Sequence, residues 1–113
     1  MTIQYKNQGI NLTTTGTVSV LTAPSDATVL VKQIQINNGS GSGVNLNVQF
    51  TDTSASSTFR IFNEAITGAA TKDIINYTLV LEAGDIIKMT AGTANEIQGV
   101  ISYALLDRSQ QNG

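Results

Sequence analysis

The side chains able to do acid, base or metal chemistry in this chain are eight carboxylates: Asp26, Asp52, Glu64, Asp73, Glu82, Asp85, Glu96 and Asp107. Histidine and cysteine are absent, which removes the commonest general base, the serine and cysteine triads, thiolate metal sites and disulfides. Glu82 and Asp85 are the best-spaced acids, because a turn at Glu82-Ala83-Gly84-Asp85 brings both side chains towards one point. Calcium takes roughly six to eight oxygen ligands, and no D-x-D-x-D-G loop supplies them here. The plainer reading is a turn in which Asp85 accepts backbone N–H groups, and the same holds for Asp52-Thr53-Ser54. No catalytic residue, cofactor or metal is expected, and the chain does not read as an enzyme.

Other chemical signals are equally sparse. Gly39 to Gly43 is glycine-rich, but it lacks the Gly-Lys-Ser/Thr ending of a phosphate cradle and leads into a strand rather than a helix. Asn11-Leu12-Thr13, Asn38-Gly39-Ser40 and Asn76-Tyr77-Thr78 fit the glycosylation pattern, yet in a chain so rich in Asn, Ser and Thr chance accounts for them. The aromatic residues are Tyr5, Phe50, Phe59, Phe62, Tyr77 and Tyr103. Phe50 and Phe59 lie on apolar parities and are expected in the core, which leaves Tyr5 and Tyr77 as candidates for an exposed platform of the kind that stacks bases or sugars. Lys6, Lys32, Arg60, Lys72, Lys88 and Arg108 are scattered, with no cluster to hold phosphates, so nucleic acid is not an expected partner.

What remains is the surface itself. Charged residues make up 12% of the 113 residues, with a net charge of -2, about half the usual charged share. Polarity is carried by Asn, Gln, Ser and Thr, whose groups are less costly to desolvate than charges, so such a face can be buried against another subunit without matched ion partners. The alternative is that these residues simply suit strand surfaces and turns. No apolar run approaches membrane-spanning length and no signal peptide is recognisable, so neither membrane association nor secretion is expected.

The elements that would position this surface are strands. Val44, Leu46, Val48 and Phe50 alternate with Asn45, Asn47 and Gln49, which predicts one dry face and one amide face. With the run from Val29 and the Gly/Ser segment between, this reads as a hairpin. Val29 and Val31 are odd whereas Ile34 and Ile36 are even, so either both faces are covered at the start or a bulge near Lys32 shifts the phase; the bulge is favoured. Thr17 to Leu21, Thr58 to Phe62 (with Phe59 and Ile61 on one side), Tyr77 to Leu81 and Ile87 to Ala91 are further strands. Ile3 and Tyr5 suggest a short edge strand or arm, and Asn7 to Gly16 a loop or weak strand. In the last strand, Ile97 to Leu106, the second parity turns apolar at Ala104 and Leu106, as in a central strand or one whose outer face a partner covers. About seven or eight strands with regular turns and no amphipathic helix predict a single all-β antiparallel sandwich, immunoglobulin-like or jelly-roll. The division is an N-terminal segment or arm over 1–16, a sandwich over 17–106 and a polar tail over 107–113.

The order of signals resembles a known group: a Thr/Val strand, Ala23-Pro24, a strand ending Ile34-Gln35-Ile36-Asn37-Asn38, then Leu81-Glu82-Ala83-Gly84-Asp85-Ile86-Ile87-Lys88 and a closing Val100-Ile101-Ser102-Tyr103. It resembles the small β-sandwich virion proteins of tailed bacteriophages over most of residues 17 to 106. The resemblance implies a structural virion protein assembled in the host cytoplasm, foremost a capsid decoration or cement subunit. Its implied partners are the major capsid protein or other virion proteins and further copies of itself, a trimer being favoured. A neck or tail accessory and a surface glycan-adhesion module using Tyr77 are the alternatives. The expected contact residues are Ile3, Tyr5, Asn45, Asn47, Gln49, Tyr77 and Leu106, within the segments Thr2 to Leu12 and Leu106 to Gly113 and the amide face.

Overall fold

The alternating pattern becomes nine β-strands in a computed structural model that describes residues 2–107. They are β1 (Thr2–Leu12), β2 (Val18–Thr22), β3 (Ala27–Asn38), β4 (Val44–Asp52), β5 (Ser57–Ile66), β6 (Thr71–Asp73), β7 (Leu79–Leu81), β8 (Ile86–Ala91) and β9 (Ile97–Asp107). A five-stranded sheet has the order β1-β9-β3-β6, with β7 also on β3, and a four-stranded sheet has the order β2-β8-β4-β5. All pairings are antiparallel. This is the expected all-β sandwich, and the order decides between its two topologies. Four strands face four, with one position shared by the short β6 and β7, and the chain alternates between sheets as in a jelly roll. An immunoglobulin fold would instead pair consecutive strands within a sheet.

That alternation corrects one reading. The run from Val29 to Phe50 is not a hairpin: β3 belongs to the five-stranded sheet and β4 to the four-stranded one, so the Gly/Ser segment carries the chain across the sandwich. Both runs have one apolar face because each lines the same core from opposite sides, and period-2 alternation alone does not say which sheet a strand joins. The true hairpin is β4–β5, paired from Asp52↔Ser57 to Val44↔Ile66.

Between the sheets lie Leu12, Ile34, Ile36, Leu46, Ile66, Leu81, Ile87, Met89, Ile97 and Ile101, all at most 1% exposed. Each such side chain contributes about 1.5–3 kcal/mol through burial. Three bulges keep the apolar residues in phase with this core. In β3 the register on β9 slips between Val31 and Gln33, so Lys32 is the extra residue and both Val31 and Ile34 face inward, as the parity change predicts. In β2 the slip falls between Ser19 and Leu21.

The third slip corrects the reading of β5. Val48 faces Phe62, Gln49 faces Arg60 and Phe50 faces Phe59, so Ile61 is the extra residue, without a partner on β4, and the regular alternation expected over Thr58 to Phe62 is broken there. Phe59 is not core either: it is 50% exposed, stacked on Phe50 at 6.4 Å and 23°, because β5 is an edge strand that the opposite sheet covers only in part.

Two further differences concern lengths. Residues 2–12 form one continuous strand, matched to β9 from Thr2↔Asp107 to Leu12↔Ile97 without a slip, where a short strand followed by a loop or weak strand was expected. The strand expected from Tyr77 begins only at Leu79.

Candidate assembly surface

The fold brings carboxylate oxygens of Asp52, Glu82 and Asp85 within 4.8 Å of one another. Asp85 is 2% exposed, and its oxygens are already used. Oδ2 accepts the Glu82 N–H at 2.9 Å, and Oδ1 accepts the Thr53 N–H at 3.1 Å and the Thr53 hydroxyl at 3.2 Å. Gly84 sits at φ 84°, the positive-φ position of a type II turn, and the Asp85 N–H closes that turn on the Glu82 carbonyl at 3.0 Å. The turn also holds the β2–β3 connection: Ala23 donates to the Asp85 carbonyl at 2.9 Å, and Gly84 donates to the Ala23 carbonyl at 3.0 Å. Asp85 is thus the knot of three chain segments at one end of the sandwich, which is the capping role read from the sequence.

Asp52 does the same on a smaller scale. Its Oδ1 accepts the Ser54 hydroxyl at 2.7 Å and the N–H groups of Ser54 and Ala55 at 3.1 and 3.3 Å. The Ser54 hydroxyl is the main reason its carboxyl titrates below the ordinary value; the two N–H groups add to this and burial opposes it. A depressed folded pKa means that the support Asp52 gives this loop is present above the ordinary carboxylate range and lost as pH falls through the lowered value. Ser54→Ala is expected to move the Asp52 titration back up towards the ordinary value, read by carboxyl-detected NMR.

The contact residues read from the sequence separate into three places. Ile3, Tyr5 and Leu106 come together on the outer face of the five-stranded sheet. Opposed residues share a face, so Ile3, Leu106 and Thr28 form one row and Tyr5, Ala104, Leu30 and Val80 the next. Ile3 is 57%, Tyr5 83% and Val80 49% exposed. Further along the same face the rows turn polar, through Asn7, Ser102 and Gln33 to Asn11, Gln98, Asn37 and Thr71. Leu30 and Val80 are additions to the sequence reading. Leu30 carried a signal, being an apolar residue on the wrong parity of β3, but without the register its neighbours were unknown.

Asn45, Asn47 and Gln49 lie on the outer face of the other sheet, on β4, flanked there by Asn63, Thr90, Arg60 and Lys88. Asn45 donates to Asn63 at 3.3 Å, and Asn47 Oδ1 is buried with no hydrogen-bond partner. Tyr77 is 86% exposed in the connection before β7, beside a shallow hollow lined by Ile61, Ile74, Ile75 and Leu79. Of the tail named as a contact, residues 108–113 lie outside the described residues.

Comparison with known proteins places this architecture. No protein-family model and no curated protein sequence matches the chain. Among solved structures, a chain of the acid-stable capsid of Helicobacter pylori bacteriophage KHP30 superposes with a TM-score of 0.57 at 12% identity, covering 94% of this chain and 88% of that one. A chain of the infectious bursal disease virus particle gives 0.56 at 9% identity over 95% of this chain; since this is only 31% of that chain, ours spans about a third of its length. A chain of the Bacillus endospore appendages, which form disulfide-linked pili, gives 0.53 at 11% identity, covering 95% and 88%. The likeness to virion proteins read from the sequence is therefore present as a shared fold, in a protein whose neighbours include viral capsid proteins.

Proposed function

We propose that this chain is a structural subunit of a virus particle, a decoration or cement protein that binds a phage head and joins neighbouring capsid proteins. The observation that carries this reading is the apolar half of the outer sheet face, where Ile3, Tyr5, Leu30, Val80 and Leu106 lie in two adjacent rows with no charged residue among them. Contiguous apolar surface rimmed by polar residues marks an interaction site in a folded protein. A sandwich with one such face suits a subunit whose stability and task both come from burial against neighbours. The endospore pili share the fold but are linked by disulfides; with no cysteine, this chain would have to assemble through non-covalent contacts alone.

The test is to express the chain with the major capsid protein of the same virus and to count copies on purified shells by densitometry. A decoration subunit is present in a fixed, high ratio to the capsid protein, and Val80→Glu, on the far side of the face from β1, lowers that ratio at least tenfold while the circular dichroism spectrum is unchanged. A handful of copies per particle would favour a neck or tail accessory, and shells that never retain the chain would overturn the proposal.

A further inference from the structure

A jelly roll leaves four sheet edges, and three of them here are protected against pairing with another chain. On the five-stranded sheet one edge is made of β6 and β7, only 3 residues each. On the four-stranded sheet β2 has 5 residues and a register slip. Its other edge, β5, has a slip at Ile61 and carries Arg60 and Glu64, the latter tied to Lys72 by an ion pair of 2.6 Å. Short strands, bulges and charges are the usual means of blunting an edge. The fourth edge, β1, has none of these except one lysine. It is 11 residues long, without proline, and runs straight along β9 with no slip. No described strand other than β9 pairs with it, and from Ile3 to Gly9 its side chains are exposed on both faces.

We propose that β1 pairs with β1 of a second copy, antiparallel, about a two-fold axis through Asn7 perpendicular to the sheet. Three features of the strand favour this register. Asn7 is the middle residue of Thr2–Leu12, so this axis is the one that overlaps the full strand. The single charge, Lys6, then faces Gln8 of the second copy; an axis one residue earlier would set Lys6 against itself, which is unfavourable. Tyr5 and Gly9 are equidistant from Asn7 and on the same outer face, so each Tyr5 ring lies over Gly9 of the other copy. Gly9 has no explanation within the chain: a Cβ built there meets nothing within 4 Å, and the ladder around it is regular. A glycine inside a regular strand marks the close approach of something else, and covering such a glycine with a cross-strand aromatic is a known way to fix register.

The axis also sets the outer faces of both copies on the same side, doubling the apolar surface described above. Edge pairing along a strand of about 37 Å buries on the order of 400–500 Å² per copy, which is at the low end of specific interfaces. The contact is therefore concentration-dependent in solution and strengthened when neighbouring copies are held side by side.

The chain has no cysteine, so single-cysteine variants report the register directly. Under mild oxidation at about 100 µM, Asn7→Cys is expected to form a covalent dimer at least tenfold faster than Ile3→Cys or Asn11→Cys, whose equivalents lie far apart across the axis. Sedimentation equilibrium of the unmodified chain should show a monomer–dimer equilibrium, and Asn7→Lys, which opposes like charges at the axis, should raise the dissociation constant at least tenfold with an unchanged thermal midpoint at low concentration. Equal cross-linking rates at the three positions, a strict monomer, or a trimer with no Asn7→Cys cross-link would each overturn the pairing. None of these outcomes depends on shell binding, so the edge contact and the decoration role fail separately.

Discussion

Asn38→Ala is expected to lower the unfolding free energy by about 3 kcal/mol. Asn38 is fully buried at the end of β3, where the chain leaves one sheet for the other. Its Nδ2 donates to the carbonyls of Ser42 and Ile66, both at 2.9 Å, and its Oδ1 accepts the Ser40 N–H at 2.9 Å. Alanine would strand the buried Ile66 carbonyl and, in a part-buried setting, the Ser42 carbonyl and the Ser40 N–H, and each unsatisfied buried group costs about 1–3 kcal/mol. Urea titration monitored by circular dichroism, at a concentration low enough to exclude self-association, would show the midpoint fall with an unchanged slope. A finer test uses Asn38→Asp, which keeps the acceptor for Ser40 but turns a carboxylate towards two carbonyl oxygens. At neutral pH it should be at least as damaging as alanine, and it should recover in part as the acid is protonated and regains a donor.

For Gly99→Ala the expected loss is also about 3 kcal/mol, with a thermal midpoint lower by roughly 10–15 °C. Gly99 lies in β9 between Ile10 of β1 and Ile36 of β3. A Cβ added there would overlap the Gln35 carbonyl oxygen and stand 3.0 Å from the Ile36 side chain. The Ile36 methyl could move, but the Gln35 carbonyl belongs to the ladder that joins the two central strands, so relief means parting β3 from β9. Differential scanning calorimetry would read the loss; a midpoint within 2 °C of the parent would show that the strands can separate locally at little cost.

Both positions show where the sequence was informative and where it was not. Alternation placed the strands, and the parity change at Val31 to Ile34 located the Lys32 bulge, because a phase shift leaves its mark on the residues either side. Gly84 and Asp85 were legible as a turn from their types alone. The crossing at Asn38 was not: an asparagine before Gly-Ser reads equally as a hairpin turn, and only its burial against the end of β5, 28 residues away, reveals a lock. The Ile61 bulge was hidden for a similar reason, since Phe59, Ile61 and Phe62 are all apolar and any parity could claim them. The candidate surface was half visible. Ile3, Tyr5 and Leu106 were named from the termini of the chain, but that they share a face with Leu30 and Val80 follows from β9 lying between β1 and β3, which local pattern does not encode.

That central position of β9 has a consequence for synthesis. β1 and β3 both find their long partner in a strand that begins only at Ile97. After Asn38 has left the ribosome, roughly sixty further residues must follow before β9 appears, about 3–12 s at ordinary translation rates. Throughout that interval the backbone of both strands is unpaired along most of its length, and β1 can meet β1 of a neighbouring nascent chain before it meets β9. Several copies of the chain made on the same message would thus pass through a stage in which order of arrival competes with order of stability, and slow emergence of the last strand would favour exchanged or entangled pairs over correctly closed monomers.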